Sequence, residues 1–405
     1  MARQRVALVS QFAYDAYRHD DGSPFFHPDE FDVTFLARPR DIARLAPGQV
    51  GRGVPVDIDD PVGLDRALPE LVRGLDLDRV VTTREVLMLP VARVREALGI
   101  AGTGVERTRV LRDKLVMKRH FSDRGVRVPE FREITEPVDA AELLDKFGAV
   151  VLKPVLGAGS EGVHVVRDHD ELMTLQRRGL GGSERYEAEE FISGRQFHLD
   201  SVVRDGVPTS VSVSVYLDSH EAFPLGGQIR SHTLDDGPDL DVLLEFNLAV
   251  LGCVPWFSGS THLEAFLDDD GAPVFCEVAG RPGGAGVETA FRYRHGVSPL
   301  FASVMSQVGR DVPDGDDRED LDEPATGWSM MYPPVLGRFH GYAALPRADW
   351  LLQLTTPYRE GDLVGPPSQS SDAMAIAAVR GRDAAEVVRR LAEVKAGIAV
   401  SITTG

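Results

Sequence analysis

The chain has 405 residues, with 44 Lys or Arg against 63 Asp or Glu, for a formal charge of −19. That balance argues against a protein that binds nucleic acid or a membrane surface through its overall charge. With 43% apolar and 26% charged residues, the composition is that of a globular protein of two or more domains, which excludes disorder of the whole chain.

Residues 1–104 alternate short apolar runs with amphipathic stretches. Val6–Ser10, Val33–Ala37, Val54–Ile58 and Val80–Thr83 read as strands, and Leu64–Gly74 and Glu85–Leu98 as helices. This alternation predicts an N-terminal α/β domain with a mainly parallel sheet. Because the strand-like pattern begins at Val6 and no apolar run approaches the roughly 18 residues of a membrane span, a cytoplasmic location is expected. From Thr108 to Arg124 the pattern is helical, and it stops at Gly125 with Pro129 beyond. Val150–Lys153 is a short buried strand, followed by the turn Gly157-Ala158-Gly159-Ser160-Glu161-Gly162 and the strand Val163–Val166, which predicts a hairpin with a mobile tip. Strands follow near Glu187–Ile192, Phe197–Val203 and Val211–Tyr216, then a helix near Asp241–Leu251 and two long strands, Ser260–Leu267 and Pro273–Val278. Asp311–Ala325 holds eight acids and one arginine among prolines and a glycine, and reads as a solvated linker. Strands near Trp328–Tyr332 and Ala375–Val379 and the helix Asp383–Gly397 then suggest a small C-terminal α/β cap.

The charges are unevenly placed. Residues 311–325, 233–241 and 268–270 carry 14 of the 19 excess negative charges, so the acidity belongs to expected loops and says little about substrate. Only five residues are lysines, and Lys114, Lys118, Lys146 and Lys153 crowd into one segment, which invites a search for a specific role there. Cys253 and Cys276 are the only cysteines, which excludes a disulfide scaffold; their apolar surroundings suggest small buried side chains.

Four motifs carry chemistry. Lys153 ends a strand just before the glycine turn, where backbone N–H groups approach phosphate oxygens closely and a lysine supplies a point charge; taken alone, a plain hairpin explains the turn equally well. Glu264 and Glu277 lie on neighbouring strands joined by Asp268-Asp269-Asp270-Gly271, so a hairpin would bring two carboxylates to one face, as Mg²⁺ on a nucleotide requires. The alternative is two edge carboxylates in solvent, but apolar residues surround both, and a buried acid wants a cation. Gly280-Arg281-Pro282-Gly283-Gly284 follows directly, with Arg281 placed to hold an anionic oxygen or simply to sit at a surface turn. Glu189-Glu190-Phe191-Ile192-Ser193-Gly194 gives an extended segment suited to backbone contacts with a base.

In this order and spacing the motifs resemble the ATP-grasp superfamily over about residues 105–300. The resemblance implies an α/β fold with a two-lobed grasp domain: an N-terminal domain at 1–104, a small lobe at 105–186, a large lobe at 187–310, the acidic linker at 311–325 and the cap at 326–405. It implies that Lys114, Lys153 and the turn residues Gly157, Gly159, Ser160 and Gly162 hold the phosphates of ATP. By the same likeness Glu189, Glu190, Phe191 and Ile192 face the adenine, Gln196 the ribose, Glu264 and Glu277 bind Mg²⁺ (with Mn²⁺ as a substitute), and Arg281 with Lys153 acts on the transferred group. Two positions depart from the common pattern: Gln196 replaces a glutamate, and Ala279 replaces an asparagine that would ligate metal. The Arg-Pro-Gly-Gly ending is similar to the branch that joins amino acids to amines, which implies an amide-forming carbon–nitrogen ligase with small-molecule carboxylate and amine substrates.

The alternatives are a ligase that uses a carrier-protein thiol or a purine-pathway amine, a carboxylase of the biotin-dependent kind, and a nucleotide-binding protein with a degenerate grasp site. Arg230, His262, Gly283 and Gly284 are candidate substrate contacts, and Asp15, Asp20 and Asp21, after the first strand, are candidates for an ammonium group. Arginine-heavy usage suggests a GC-rich genome and a role in specialised metabolism such as antibiotic biosynthesis. Nothing in the sequence sets the oligomeric state, although the resemblance admits a homodimer.

Overall fold

In the computed structural model, which describes residues 2–404 except 183, 220–223, 316–317, 319–320 and 370–371, the first apolar runs pair as expected. β1 (Gln4–Val9), β2 (Phe31–Ala37), β3 (Arg52–Pro55) and β4 (Arg79–Thr82) form a parallel sheet in the order β3-β2-β1-β4. Val6 to Val9 are fully buried, because a parallel strand is covered on both faces. After the short α1 (Pro39–Ile42), helices α2 (Pro61–Val72) and α3 (Met88–Leu98) pack on one face through Leu64, Leu68, Val91 and Val94. The other face is covered by Leu300, Val304 and Met305 of a helix far along the chain, Pro299–Gln307. β3 ends before the expected Val54–Ile58 does, since Asp60 already caps α2 by accepting from the Gly63 N–H at 2.9 Å.

The helix expected from Thr108 to Arg124 is two helices, α4 (Val105–Val110) and α5 (Lys114–Ser122). Asp113 causes the break: its carboxylate accepts from the Val116 N–H at 3.1 Å and starts a new helix, so that Lys114 is the first residue of α5. Gly125, at φ 86°, follows the C-terminal end of α5.

β5 (Phe131–Ile134), β6 (Val150–Pro154), β7 (His164–Val166) and β8 (Tyr186–Glu190) form the small antiparallel lobe in the order β5-β8-β6-β7. Leucines of α6 (Ala141–Phe147) and α7 (His169–Arg177) back it. The expected hairpin is β6–β7, and its turn holds Gly159, Ser160 and Gly162 at φ 67°, 60° and 70°; only Ser160 pays for that conformation with a Cβ.

The large lobe is built on β9 (Gly194–Arg204), β10 (Val207–Tyr216), β11 (Gln228–Thr233), β12 (Gly259–Asp268) and β13 (Pro273–Ala279), with α8 (Pro238–Gly252) on one face. Its core joins Phe197, Leu199, Phe246, Val250, Leu263 and Phe275 to Met117 and Phe121 of α5. Then come α9 (Val287–His295) and α10 (Pro299–Gln307), the helix that also covers the N-terminal sheet. Beyond residue 325 lie β14 (Ala325–Met331), β15 (Gly337–Ala344), β16 (Leu351–Thr355), β17 (Leu363–Val364), β18 (Ala375–Gly381), α11 (Ala384–Gly397) and β19 (Ala399–Thr403).

Here the expected separate cap needs correction. β14, β18 and β16 extend the large-lobe sheet, whose order is β13-β12-β9-β10-β11-β14-β18-β16, and only β17-β15-β19 form a sheet of their own. β14 pairs with β11 from Gln228↔Met331 to His232↔Gly327, so the lobe's sheet runs across the acidic segment. No helix among the described residues is long and apolar enough to cross a membrane.

Candidate active site

A cavity of about 540 Å³ opens between the two lobes, within the size range of ligand sites. Lys114, Lys153, the turn residues from Gly157 to Glu161, the segment from Glu189 to Gln196, Glu264 and Glu277 all line it. Among the residues expected at the nucleotide and metal, only Gly162 lies outside this lining, and its φ of 70° shapes the turn instead.

The positive side is built on α5 and β6. Lys114 Nζ lies 3.0 Å from Glu277 Oε2 and donates to the Gly157 carbonyl at 3.0 Å, which ties the helix start to the glycine turn. On β6, Lys153 stands opposite Glu187 of β8 in register, and Glu189 shares their face; Lys153 Nζ is 2.6 Å from Glu189 Oε1. Lys118, one helical turn after Lys114, is completely buried and pairs with Glu187 and with Glu189 Oε2, the latter at 2.7 Å. Two lysines and two glutamates thus make a charge-balanced buried set. Burial alone lowers the Lys153 pKa, but Glu189 and its other acidic neighbours outweigh it and hold the ammonium well above its usual value. Burial opposes ionisation of Glu189, yet Lys118 and Lys153 hold its carboxyl below the usual range.

Glu264 and Glu277 are direct register partners, as their spacing predicts. Beyond them the pairing shifts, Ala265 facing Phe275, so Cys276 is the extra residue of a β-bulge and its side chain also borders the cavity. Both cysteines are half-buried rather than enclosed. Glu264 accepts from the Tyr216 hydroxyl at 2.8 Å and from Gln196 Nε2 at 3.2 Å, with His262 Nε2 at 3.5 Å. Burial raises the Glu277 pKa, but Lys114 and Lys153 more than offset this and keep it a carboxylate. Ala279, which brings no ligand, is paired with His262 across the strands. Lysines, turn amides and two facing carboxylates on one cavity fit a polyphosphate with a divalent cation.

Arg281 lies beyond Glu277, outside the cavity lining, and its Nε and Nη2 donate to Glu85 Oε2 at 2.8 and 2.5 Å. Glu85 lies three residues past the end of β4, where parallel sheets collect ligands, and also pairs with Arg112 Nη1 at 3.3 Å. Burial would raise the Glu85 pKa, but Arg281 and Arg112 hold it below its ordinary value. The N-terminal domain therefore reaches the arginine through a half-buried carboxylate.

The remaining expected residues scatter. Arg230 forms a bidentate pair with Asp218, both contacts at 2.8 Å, so its fork is already engaged. His262 Nδ1 is 2.7 Å from Asp200 Oδ1, and Asp200 Oδ2 is 2.6 Å from His198 Nδ1. These three side chains have the composition of a metal site, but their spacings are those of hydrogen bonds, and His198 Nε2 is occupied by Ser231 Oγ at 2.7 Å. Gly283 lies against this pair: a Cβ there would meet Asp200 Oδ1 at 2.7 Å and His262 Nδ1 at 3.0 Å, whereas Gly284 faces open space. Asp15 is bound by Arg18 and Gln49, Asp20 by Arg292, and Asp21 caps Ser23, so these acids do not converge on the site. Sequence reasoning missed the parts played by Lys118, Glu187, Glu85, Arg112 and Tyr216. The lysine clustering and the four-residue step from Lys114 pointed to Lys118; no local signal marked Glu85.

Residues 111–235 match the ATP-grasp domain family, a span that holds both cavity lysines and the turn but not Glu264, Glu277 or Arg281. The chain is 26% identical over 341 residues to an L-arginine-specific L-amino acid ligase of Bacillus subtilis, covering 78% of each protein. It is 27% identical over 161 residues to an alanine–anticapsin ligase of Bacillus subtilis strain 168, covering 36% of this chain and 34% of that one. A solved L-amino acid ligase from Bacillus licheniformis superposes with a TM-score of 0.74 at 18% identity, over 100% of both chains. Residues 111–235 thus carry an ATP-grasp domain, and the chain's similarity runs to the carboxylate–amine ligases.

Proposed function

We propose that this ATP-dependent carboxylate–amine ligase joins an amino acid to a second amino acid or another amine, in specialised metabolism, through an acyl phosphate. The observation that carries the reading is the convergence of the lysine pair, the glycine turn, the base-facing segment and two register-paired glutamates on one cavity. The relatives named as amino acid ligases support the substrate class.

In this reading a substrate carboxylate oxygen attacks the γ-phosphorus of ATP and ADP leaves; the amine then attacks the acyl carbon and phosphate leaves with that oxygen. Magnesium, when bound, offsets charge on the phosphates. Lys114 and Lys153 hold the phosphates, and Glu264 and Glu277 are the residues that would carry the metal. Tyr216 and Gln196 orient Glu264 by donating to it. Arg281, held by Glu85, receives the transferred group. No side chain acts as nucleophile, so positioning and electrostatics supply the rate. Adenine is expected along the backbone from Glu190 to Ile192.

The test pairs pools of amino acids and amines with ATP and Mg²⁺ and reads phosphate release together with product mass. ADP, phosphate and an amide should appear only when carboxylate and amine are both present. Bicarbonate-dependent turnover, or ATP binding without ADP formation across the whole panel, would contradict the reading.

A further inference from the structure

A second cavity, of about 290 Å³, lies where the N-terminal domain meets the large lobe, and it shares no lining residue with the first. Its polar wall carries Arg95 of α3, which is 6% exposed. The Arg95 guanidinium donates from Nε to the Val80 carbonyl at 2.9 Å and from Nη2 to that carbonyl and to Gln307 Oε1, the latter at 2.8 Å, while among the described residues Nη1 has only the Thr103 carbonyl at 3.4 Å. All these partners are neutral. Burial, with Arg79 nearby, pulls its pKa down to about 10. A cation held out of water without an anion is costly, and carbonyl dipoles offset only part of that cost.

The rest of the cavity has the same sign. No Asp or Glu lines it among the described residues, and a second cation, the exposed Arg107, stands 5.3 Å over the Trp256 ring at the rim. Met88, Leu111 and Phe257 supply apolar lining beside the hydroxyls of Thr82, Thr108, Ser303 and Ser306.

We propose that this cavity binds a small organic carboxylate that lacks an ammonium group, its carboxylate anchored by Arg95 and Arg107 and its apolar part against Leu111 and Phe257. A zwitterionic amino acid fits poorly, because among the described residues no carboxylate in the lining would balance its ammonium beside two arginines. Inorganic phosphate leaves the apolar lining unused. The position gives such a ligand a route to the active site: Leu111 precedes Arg112–Lys114, and Gly280, packed against Leu111 and Phe257, precedes Arg281.

The proposal is tested without turnover, so its failure leaves the ligase reading untouched. Calorimetric titration of 4-methyl-2-oxopentanoate into the full chain, saturated with ADP and Mg²⁺, should show one site per chain. Arg107→Glu, a change at an exposed position, and Arg95→Met should each weaken binding about tenfold or more, the scale of one lost charge-assisted contact. Arg281→Met should leave it unchanged, and leucine and inorganic phosphate should bind at least about tenfold more weakly. Absence of heat up to about 10 mM, insensitivity to Arg107→Glu, loss in Arg281→Met, or equal binding of leucine or phosphate overturns the proposal. If Arg95→Met does not fold, Arg107→Glu decides.

Discussion

Lys118 is fully buried with Glu187 and Glu189, and that makes it more than a structural lysine. It balances the acids that would otherwise draw Lys153 entirely to themselves. Lys118→Met leaves two buried carboxylates with one cation and should destabilise the protein by about 3–5 kcal/mol, seen as a lower denaturation midpoint. Adding Glu187→Gln restores neutrality and should recover most of that loss; no recovery means the four groups do not act as a set. Glu85 acts at a distance from the nucleotide by holding Arg281 and Arg112. Glu85→Gln should lower kcat by roughly 10- to 100-fold, the scale for a lost supporting contact, while the KM for ATP stays within about twofold. A change confined to the ATP KM would contradict the link to Arg281. The sequence exposed the lysines because the chain otherwise avoids lysine, and the two metal-side glutamates because both sit in apolar strands. Glu85 left no trace, since it meets Arg281 only through tertiary structure, 196 residues apart.

Helix α5 is the element that organises the site. One face, Met117 and Phe121, is sunk in the large-lobe core, and the other presents Lys118 to the small lobe and Lys114 to Gly157 of the small lobe and Glu277 of the large one. Its start is set by Asp113, which also pairs with Arg185 at 3.2 Å. Asp113→Ala should therefore cost about 1 kcal/mol or somewhat more, by loss of the cap and the ion pair, and raise the KM for ATP through Lys114. Equilibrium unfolding and steady-state kinetics on the same sample check both effects. Periodicity alone ran across this break, because the residues on either side keep a helical pattern; the side-chain cap, not hydrophobicity, ends one helix and begins the next. The β12–β13 pair was legible for the opposite reason: alternation and a short acidic turn fix a hairpin register without outside help.

At the scale of the whole molecule, α10 is shared by two cores and the large sheet draws strands from both sides of the acidic segment. The sequence showed β14 and β18 as strands but not which sheet they join, because a strand's pairing partner is not written in its own pattern. Deleting everything after residue 325 strips β14 from β11 and uncovers Ile229, Val287 and the apolar surface around them. The truncated chain should fail to fold to a soluble, cooperative protein, as judged by circular dichroism and solubility. A well-folded product would restore the view of the C-terminal segment as an independent cap.

The central claim is that a carboxylate oxygen is transferred to phosphate on the way to an amide. It is tested most directly by supplying a turned-over amino acid whose carboxylate oxygens are isotopically labelled, with ATP, Mg²⁺ and amine, and weighing the released phosphate. The account predicts one labelled oxygen in each phosphate formed with amide, and no labelled phosphate from Glu277→Ala. Amide formed with unlabelled phosphate, or undiminished transfer in Glu277→Ala, would contradict it.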